Sequence, residues 1–206
     1  MATPDRLTYY FDPACPWTWM TSRWLVDAAG QTGADIEWRN LSLAVVNADR
    51  EIPEQYRSAV EAGVRAHRVI AALRAEDRNH MVGEFYTEWG RRVHHDGREP
   101  STTLAAEVAE AVGAGKWAPA ADDESWDAEV KRSTDEGQAL AGGDVRSPVL
   151  SFGSPAVGVF GPIVSPPPLG AEAVALLEHV TATIASPGFY ELKRNRTAGP
   201  QLGPRP

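Results

Sequence analysis

One residue stands apart by its chemistry. Cys15 is the only cysteine in 206 residues, and it lies in the string Phe11-Asp12-Pro13-Ala14-Cys15-Pro16-Trp17-Thr18-Trp19. An apolar strand pattern precedes it and a helical pattern follows, so the thiol falls at the first turn of a helix. Unpaired backbone N–H groups and the helix dipole stabilise negative charge there. The expectation is therefore a reactive thiolate whose pKa lies below that of a free thiol. A dithiol redox site would carry a second cysteine three residues on, but that position is Thr18. Any redox chemistry must run on one sulfur. The Thr18 hydroxyl is a candidate donor to that sulfur, and Trp17, between the two, is a candidate for stacking on a substrate.

Composition narrows the classes of partner. The net charge of −8 argues against nucleic acid, which requires a basic footprint. No basic amphipathic stretch points to a membrane surface, and no apolar run approaches the roughly 20 residues of a spanning helix. The polar start, Met1 to Leu7, shows no secretory signal. A single cysteine cannot close an internal disulfide, which fits a reducing cytoplasm. Lysine occurs only at Lys116, Lys131 and Lys193 among abundant Arg, Ala, Gly and Pro, a bias of GC-rich bacterial genomes. His94-His95 is the one histidine pair; no cysteine, histidine or carboxylate set has metal-ligand spacing, and no metal is expected. Glu191, Lys193, Arg194 and Arg196 form a charged patch near the end of the chain. A solvated end is the simpler reading of it, and contact with an acidic cosubstrate the alternative.

The elements that must position Cys15 come in two groups. Leu7–Phe11 reads as a buried strand, Asp12-Pro13 breaks it, and Pro16 suits the first turn of a helix running to Gly30 or Gly33. Ile36 and Trp38 alternate with polar residues in a second strand reaching about Leu43. From Pro53 to about Ala141 the periods are helical, with stripes at Tyr56/Val60/Val64, Val82/Phe85/Tyr86/Trp89/Val93, Leu104/Val108/Val112 and Trp126/Val130. Asp122-Asp123-Glu124 suits a helix start. Strands return at Val149–Phe152 and Ala156–Phe160, joined by a turn at Gly153-Ser154-Pro155, and Val174 to Ile184 marks a last amphipathic helix. The order is βαβ, four helices, then ββα. It predicts an α/β thioredoxin fold interrupted by an all-helical insertion, because the hairpin must supply the antiparallel edge of the first strands' sheet. The expected divisions are residues 1–50 and 143–196 for the two halves of the fold, 51–142 for the insertion, and 197–206 for a loose Pro/Gly-rich tail.

With these residues in view, the chain resembles the DsbA-like thioredoxin superfamily, in its FrnE-like, mycothiol-dependent branch of actinobacterial reductases, some of which reduce nitro-aromatic compounds. The resemblance spans nearly the whole chain. It rests on Asp12 to Trp19, Ser42-Leu43-Ala44, Pro53 to Arg57, Phe160-Gly161-Pro162 and Phe189 to Arg194. It implies that Cys15 is the attacking cysteine of a Cys-Pro-Trp-Cys motif in which Thr18 replaces the resolving one. It further implies that Pro148 is the cis-proline facing that cysteine, with Ser147 before it lying against the thiol and pairing with substrate.

The expected function is that of a cytoplasmic monothiol disulfide oxidoreductase. Cys15 attacks a disulfide, a low-molecular-weight thiol such as mycothiol resolves the mixed disulfide, and Pro16, Trp17, Ser147 and Pro148 hold the substrate. No tightly bound cofactor is expected. Expected partners are the small thiol and a disulfide-containing protein or small molecule. Two alternatives stand beside it. One is a kappa-type glutathione-transferase-like thiol transferase or isomerase, in which a hydroxyl activates the bound thiol. The other is a thioredoxin-fold binding protein without catalysis.

Overall fold

The computed structural model describes residues 3–143, 145–154 and 156–206. Strand β1 (Arg6–Phe11) leads through Cys15 into α1 (Pro16–Thr32), and β2 (Asp35–Asn40) returns parallel to β1 with Tyr9 beside Trp38. The second strand stops short of the expected Leu43. Ser42 ends it, because its side chain caps a short helix, α2 (Leu43–Val46), by accepting from the Val45 N–H at 3.5 Å. Strands β3 (Val149–Phe152) and β4 (Val157–Phe160) form an antiparallel pair, and β3 also runs antiparallel to β1. Pro155 of the expected hairpin turn lies outside the described residues. The sheet order β2-β1-β3-β4 joins both ends of the chain in one layer, as a thioredoxin fold requires.

Between the halves lie α3 (Glu54–Ala75), α4 (Asn79–Gly90), a π-helical turn at Arg91–His95, α5 (Leu104–Ala111), 3-10 turns at Gly115–Asp122 and Glu124–Trp126, and α6 (Asp127–Ala141). Helix α7 (Ala171–Ile184) then packs against α1. The two faces of β1 divide the core by the alternation of strand side chains. Leu7, Tyr9 and Phe11 enter the main core with Trp19, Trp24, Tyr86 and Trp89, whereas Tyr10 joins Leu41 and Val149 under α6. Phe11 stacks on Tyr86 at 4.2 Å between centroids, and Trp19 meets Tyr86 edge-on at 5.3 Å. The helical insertion therefore shares the core of the sheet.

One expected stripe sits on the wrong face. Tyr56 is 55% exposed, and α3 instead buries Ala62, Gly63, Ala66, His67, Val69, Ile70 and Leu73. Small residues mark this face because the helix approaches closely: a Cβ on Gly63 would stand 3.2 Å from the Ala14 Cβ. The last ten residues, expected as a loose tail, make specific contacts. Arg205 donates to both carboxylate oxygens of Asp96 at 2.8 and 2.9 Å, Arg91 donates to the Pro206 carbonyl at 2.6 Å, and Leu202 packs on the core. An ion pair and one apolar anchor hold a segment whose composition alone reads as unstructured.

Candidate active site around Cys15

Cys15 is the N-cap of α1, with extended backbone angles; its carbonyl accepts the first helical bond from Trp19 N–H at 3.0 Å. Its side chain makes no capping hydrogen bond, and Pro16 follows in the first helical turn. The sulfur thus stands where a serine or aspartate oxygen would meet the free N–H groups of a helix. It is half-buried.

Asp12 organises the loop before it. Its Oδ1 accepts from Ala14 N–H at 2.8 Å and its Oδ2 from Leu43 N–H at 2.7 Å. His67 Nε2 of α3 lies 3.4 Å from Oδ2, with Asp12 and His67 both buried. Burial alone would raise the Asp12 carboxyl, but His67 and the two backbone donors outweigh it and hold the group below the usual carboxylate range. A charged anchor under the loop is the result. From the sequence Asp12 reads only as a strand breaker. The signal available was Asp two residues before a free N–H, the pattern of an Asx turn.

The residues singled out with Cys15 meet at this point. The Ser147–Pro148 peptide bond is cis, and both residues are buried at the start of β3. Ser147 Oγ lies 2.9 Å from Thr18 Oγ1 and accepts from the Asp12 N–H at 3.0 Å. Thr18 is fully buried, its carbonyl taking the Tyr9 hydroxyl at 2.8 Å. Ser147, far along the chain, is thus tied to both sides of the Cys15 turn, at Asp12 and at Thr18. Trp17 is half-buried, and the Arg196 guanidinium sits 4.5 Å over its ring.

The direction of the thiol pKa corrects the sequence expectation. Burial pushes the Cys15 thiol up from its ordinary value, and the Asp12 charge adds to that. The Thr18 hydroxyl and the N–H groups of Thr18 and Trp17 pull it down without prevailing. Desolvation of the sulfur thus outweighs the favourable field of the helix terminus.

Composition gave no hint that the insertion closes over the rear of the site. His94 Nε2 donates to the Pro13 carbonyl at 3.0 Å, since a carbonyl can only accept, and Trp89 Nε1 donates to the same oxygen at 3.0 Å. Trp19 Nε1 donates to His95 Nε2 at 3.2 Å. Burial lowers the His94 pKa to about 4, against the Pro13 contact that raises it. Among the described residues no cluster of three metal-ligating side chains occurs. Arg23 lies 4.1 Å over the Trp19 ring, donating to Ser22 Oγ and Thr87 Oγ1. Its pKa falls to about 10 through burial.

Comparison with known proteins places this arrangement in context. Residues 14–194 match the family described as Rv2466c-like, mycothiol-dependent nitroreductase Rv2466c. The uncharacterized protein Rv2286c of Mycobacterium tuberculosis is 29% identical over 202 residues, covering 96% of this chain and 84% of that one. Among solved structures, the cytosolic disulfide reductase DsbM of Pseudomonas aeruginosa with GSH aligns with a TM-score of 0.55 at 18% identity, over 86% of this chain and 99% of that one. The probable DsbA oxidoreductase SCO1869 of Streptomyces coelicolor aligns at 0.53 and 16%, over 93% and 94%. At that identity the last two share the fold. Among the described residues no helix is long and apolar enough to cross a membrane.

Proposed function

The chain belongs to the Rv2466c-like mycothiol-dependent nitroreductase family, and from that premise we propose that it is a cytoplasmic monothiol oxidoreductase exchanging disulfides through Cys15. The observation that carries this reading is the sole sulfur at the cap of α1, with the Thr18 hydroxyl where a second cysteine would stand and that hydroxyl held in turn by Ser147 of the cis Ser147–Pro148 pair.

The chemistry balances without a resident cofactor. The Cys15 thiol gives its proton to solvent, and the thiolate attacks one sulfur of a disulfide R–S–S–R′. A Cys15–S–S–R bond forms and R′–S⁻ leaves. Mycothiol, as thiolate, then attacks the R sulfur, freeing Cys15 and carrying R away as a new mixed disulfide. The net change is one exchange of partners, which needs no internal disulfide. Pro16 and Trp17 border the opening, and the Ser147–Pro148 segment positions the incoming disulfide against the sulfur. Burial favours the protonated thiol between exchanges, and a protonated sulfur is less open to indiscriminate oxidation.

The test is to mix reduced protein with mycothiol disulfide and weigh it by mass spectrometry. One mycothiol adduct on the Cys15 peptide, removed by excess mycothiol and missing in Cys15→Ser, is the expected result. No adduct on the wild-type protein refutes the cycle. One observation favours a second reading: the Thr18 hydroxyl beside the sulfur is buried and linked to a second buried hydroxyl, Ser147. A thiol transferase of the kappa type would use such a hydroxyl to ionise a bound thiol, and its activity would survive Cys15→Ser.

A further inference from the structure

The chain is acidic overall, yet just after Glu191 a basic strip, Lys193 to Arg196, comes up against Trp17. Lys193, Arg194 and Arg196 are exposed, and among the described residues none of the three pairs with a carboxylate. Many of the other arginines are paired with carboxylates, as in Arg39 with Glu37, Arg92 with Glu88 and Arg132 with Glu129. Residues Lys193 to Arg196 line an open hollow. The segment returns to Trp17, two residues beyond the reactive sulfur, and sets the Arg196 guanidinium on that indole at 4.5 Å. Stacking occupies the flat face of a guanidinium and leaves its in-plane N–H fork free, the geometry that grips a carboxylate through two bonds. In a molecule of net charge −8, this is where an anion gains attraction on approach to Cys15.

We propose that the Lys193–Arg196 strip is a docking site for the carboxylate of a small anionic disulfide, with Arg196 as its fork and Trp17 as its floor. This deepens the Cys15 reading and rests on it. The carboxylate seats on Arg196 while the disulfide reaches the sulfur; Cys15 then takes one half and the other leaves as a free thiolate. Lys193 and Arg194 supply long-range attraction, which raises the rate of encounter and weakens with salt.

Two reagents separate the ideas. Reduced protein is mixed in stopped flow with 5,5′-dithiobis(2-nitrobenzoate), which bears a carboxylate on each half, and with the neutral 4,4′-dithiodipyridine. Each transfers one half to Cys15 and releases a coloured thiol, and the ratio of the two rate constants cancels any change in the thiol itself. In Lys193→Gln/Arg194→Gln/Arg196→Gln the anionic-to-neutral ratio should fall about three- to tenfold, as expected for loss of screened charges near the encounter. High salt should lower the wild-type ratio in the same direction. An equal ratio in the two proteins overturns the docking site while leaving Cys15 chemistry standing. A wild-type protein inert to the neutral reagent instead overturns the Cys15 reading itself.

Discussion

Replacing Thr18 by valine should raise the pKa of Cys15 still further. Thr18 has one hydroxyl proton to give. Ser147 Oγ already accepts from the Asp12 N–H, so its own proton is free for Thr18 Oγ1 at 2.9 Å. That arrangement releases the Thr18 proton toward the sulfur when the sulfur is ionised, and the Thr18 side chain is the largest influence holding the thiol down. A hydrogen bond to a charged group contributes about 1.5–3 kcal/mol, and at 1.36 kcal/mol per unit its loss should raise the pKa by about one to two units. Each unit of rise cuts the thiolate tenfold at neutral pH, but the more basic sulfur is also a better nucleophile. The net loss of exchange rate is then about three- to fourfold per unit. Ser147→Ala should give a smaller rise by leaving Thr18 free to turn, and the double variant should add little to Thr18→Val alone. The assay is the rate of alkylation by iodoacetamide against pH, paired with thiolate absorbance in the ultraviolet. An unchanged or lower pKa in Thr18→Val refutes the hydroxyl argument.

Two further predictions concern the ground on which the site stands. His94 titrates at about 4 in the folded protein, below its unfolded value, so folding is favoured above the unfolded pKa and that stability drains away as pH falls. Between pH 7 and pH 5 the loss from this group should be about 2 kcal/mol; urea unfolding at the two pH values measures it, and His94→Gln should abolish that share of the slope. Gly90→Ala should destabilise by about 2–3 kcal/mol, read as a drop of roughly 4–12 °C in melting temperature. A Cβ there would stand 2.2 Å from the buried Trp19 ring, which has nowhere to go. An unchanged melting temperature would mean that the indole is not seated as described.

Much of the frame was legible because its signals are local. Pro16 and the strand before it announced the helix start, and Val149–Phe152 carries its own β-pattern. The stripe at Val82, Phe85, Tyr86 and Trp89 is buried as its period demands. What escaped depends on partners far along the chain. The Tyr56 stripe misled because α3 packs through alanine and glycine, which hydrophobic periodicity undercounts. Within the site, Cys15, Thr18 and Ser147 could be named from motif, but the bond between the two hydroxyls is a tertiary fact. The raised thiol likewise follows from what covers Cys15, and helix position alone pointed the other way. Nothing in Asp12 or His67 by themselves foretold their pairing beneath the loop.

The register of β1 against β3 sets an order on how the molecule is made. Tyr9 pairs with Leu150, so the central sheet cannot close until the segment around Leu150, about 140 residues after β1, has left the ribosome. Through that interval β1 has β2 on one side only, and its other edge, at Thr8 to Tyr10, offers open backbone groups to any neighbouring strand. The helices made in between, which share Phe11 and Trp19 with the sheet, are the natural cover for the nascent chain's apolar face while it waits. Pairings this remote in sequence fold slowly, and newly synthesised protein should depend on chaperones more than a single-cysteine enzyme of this size otherwise would.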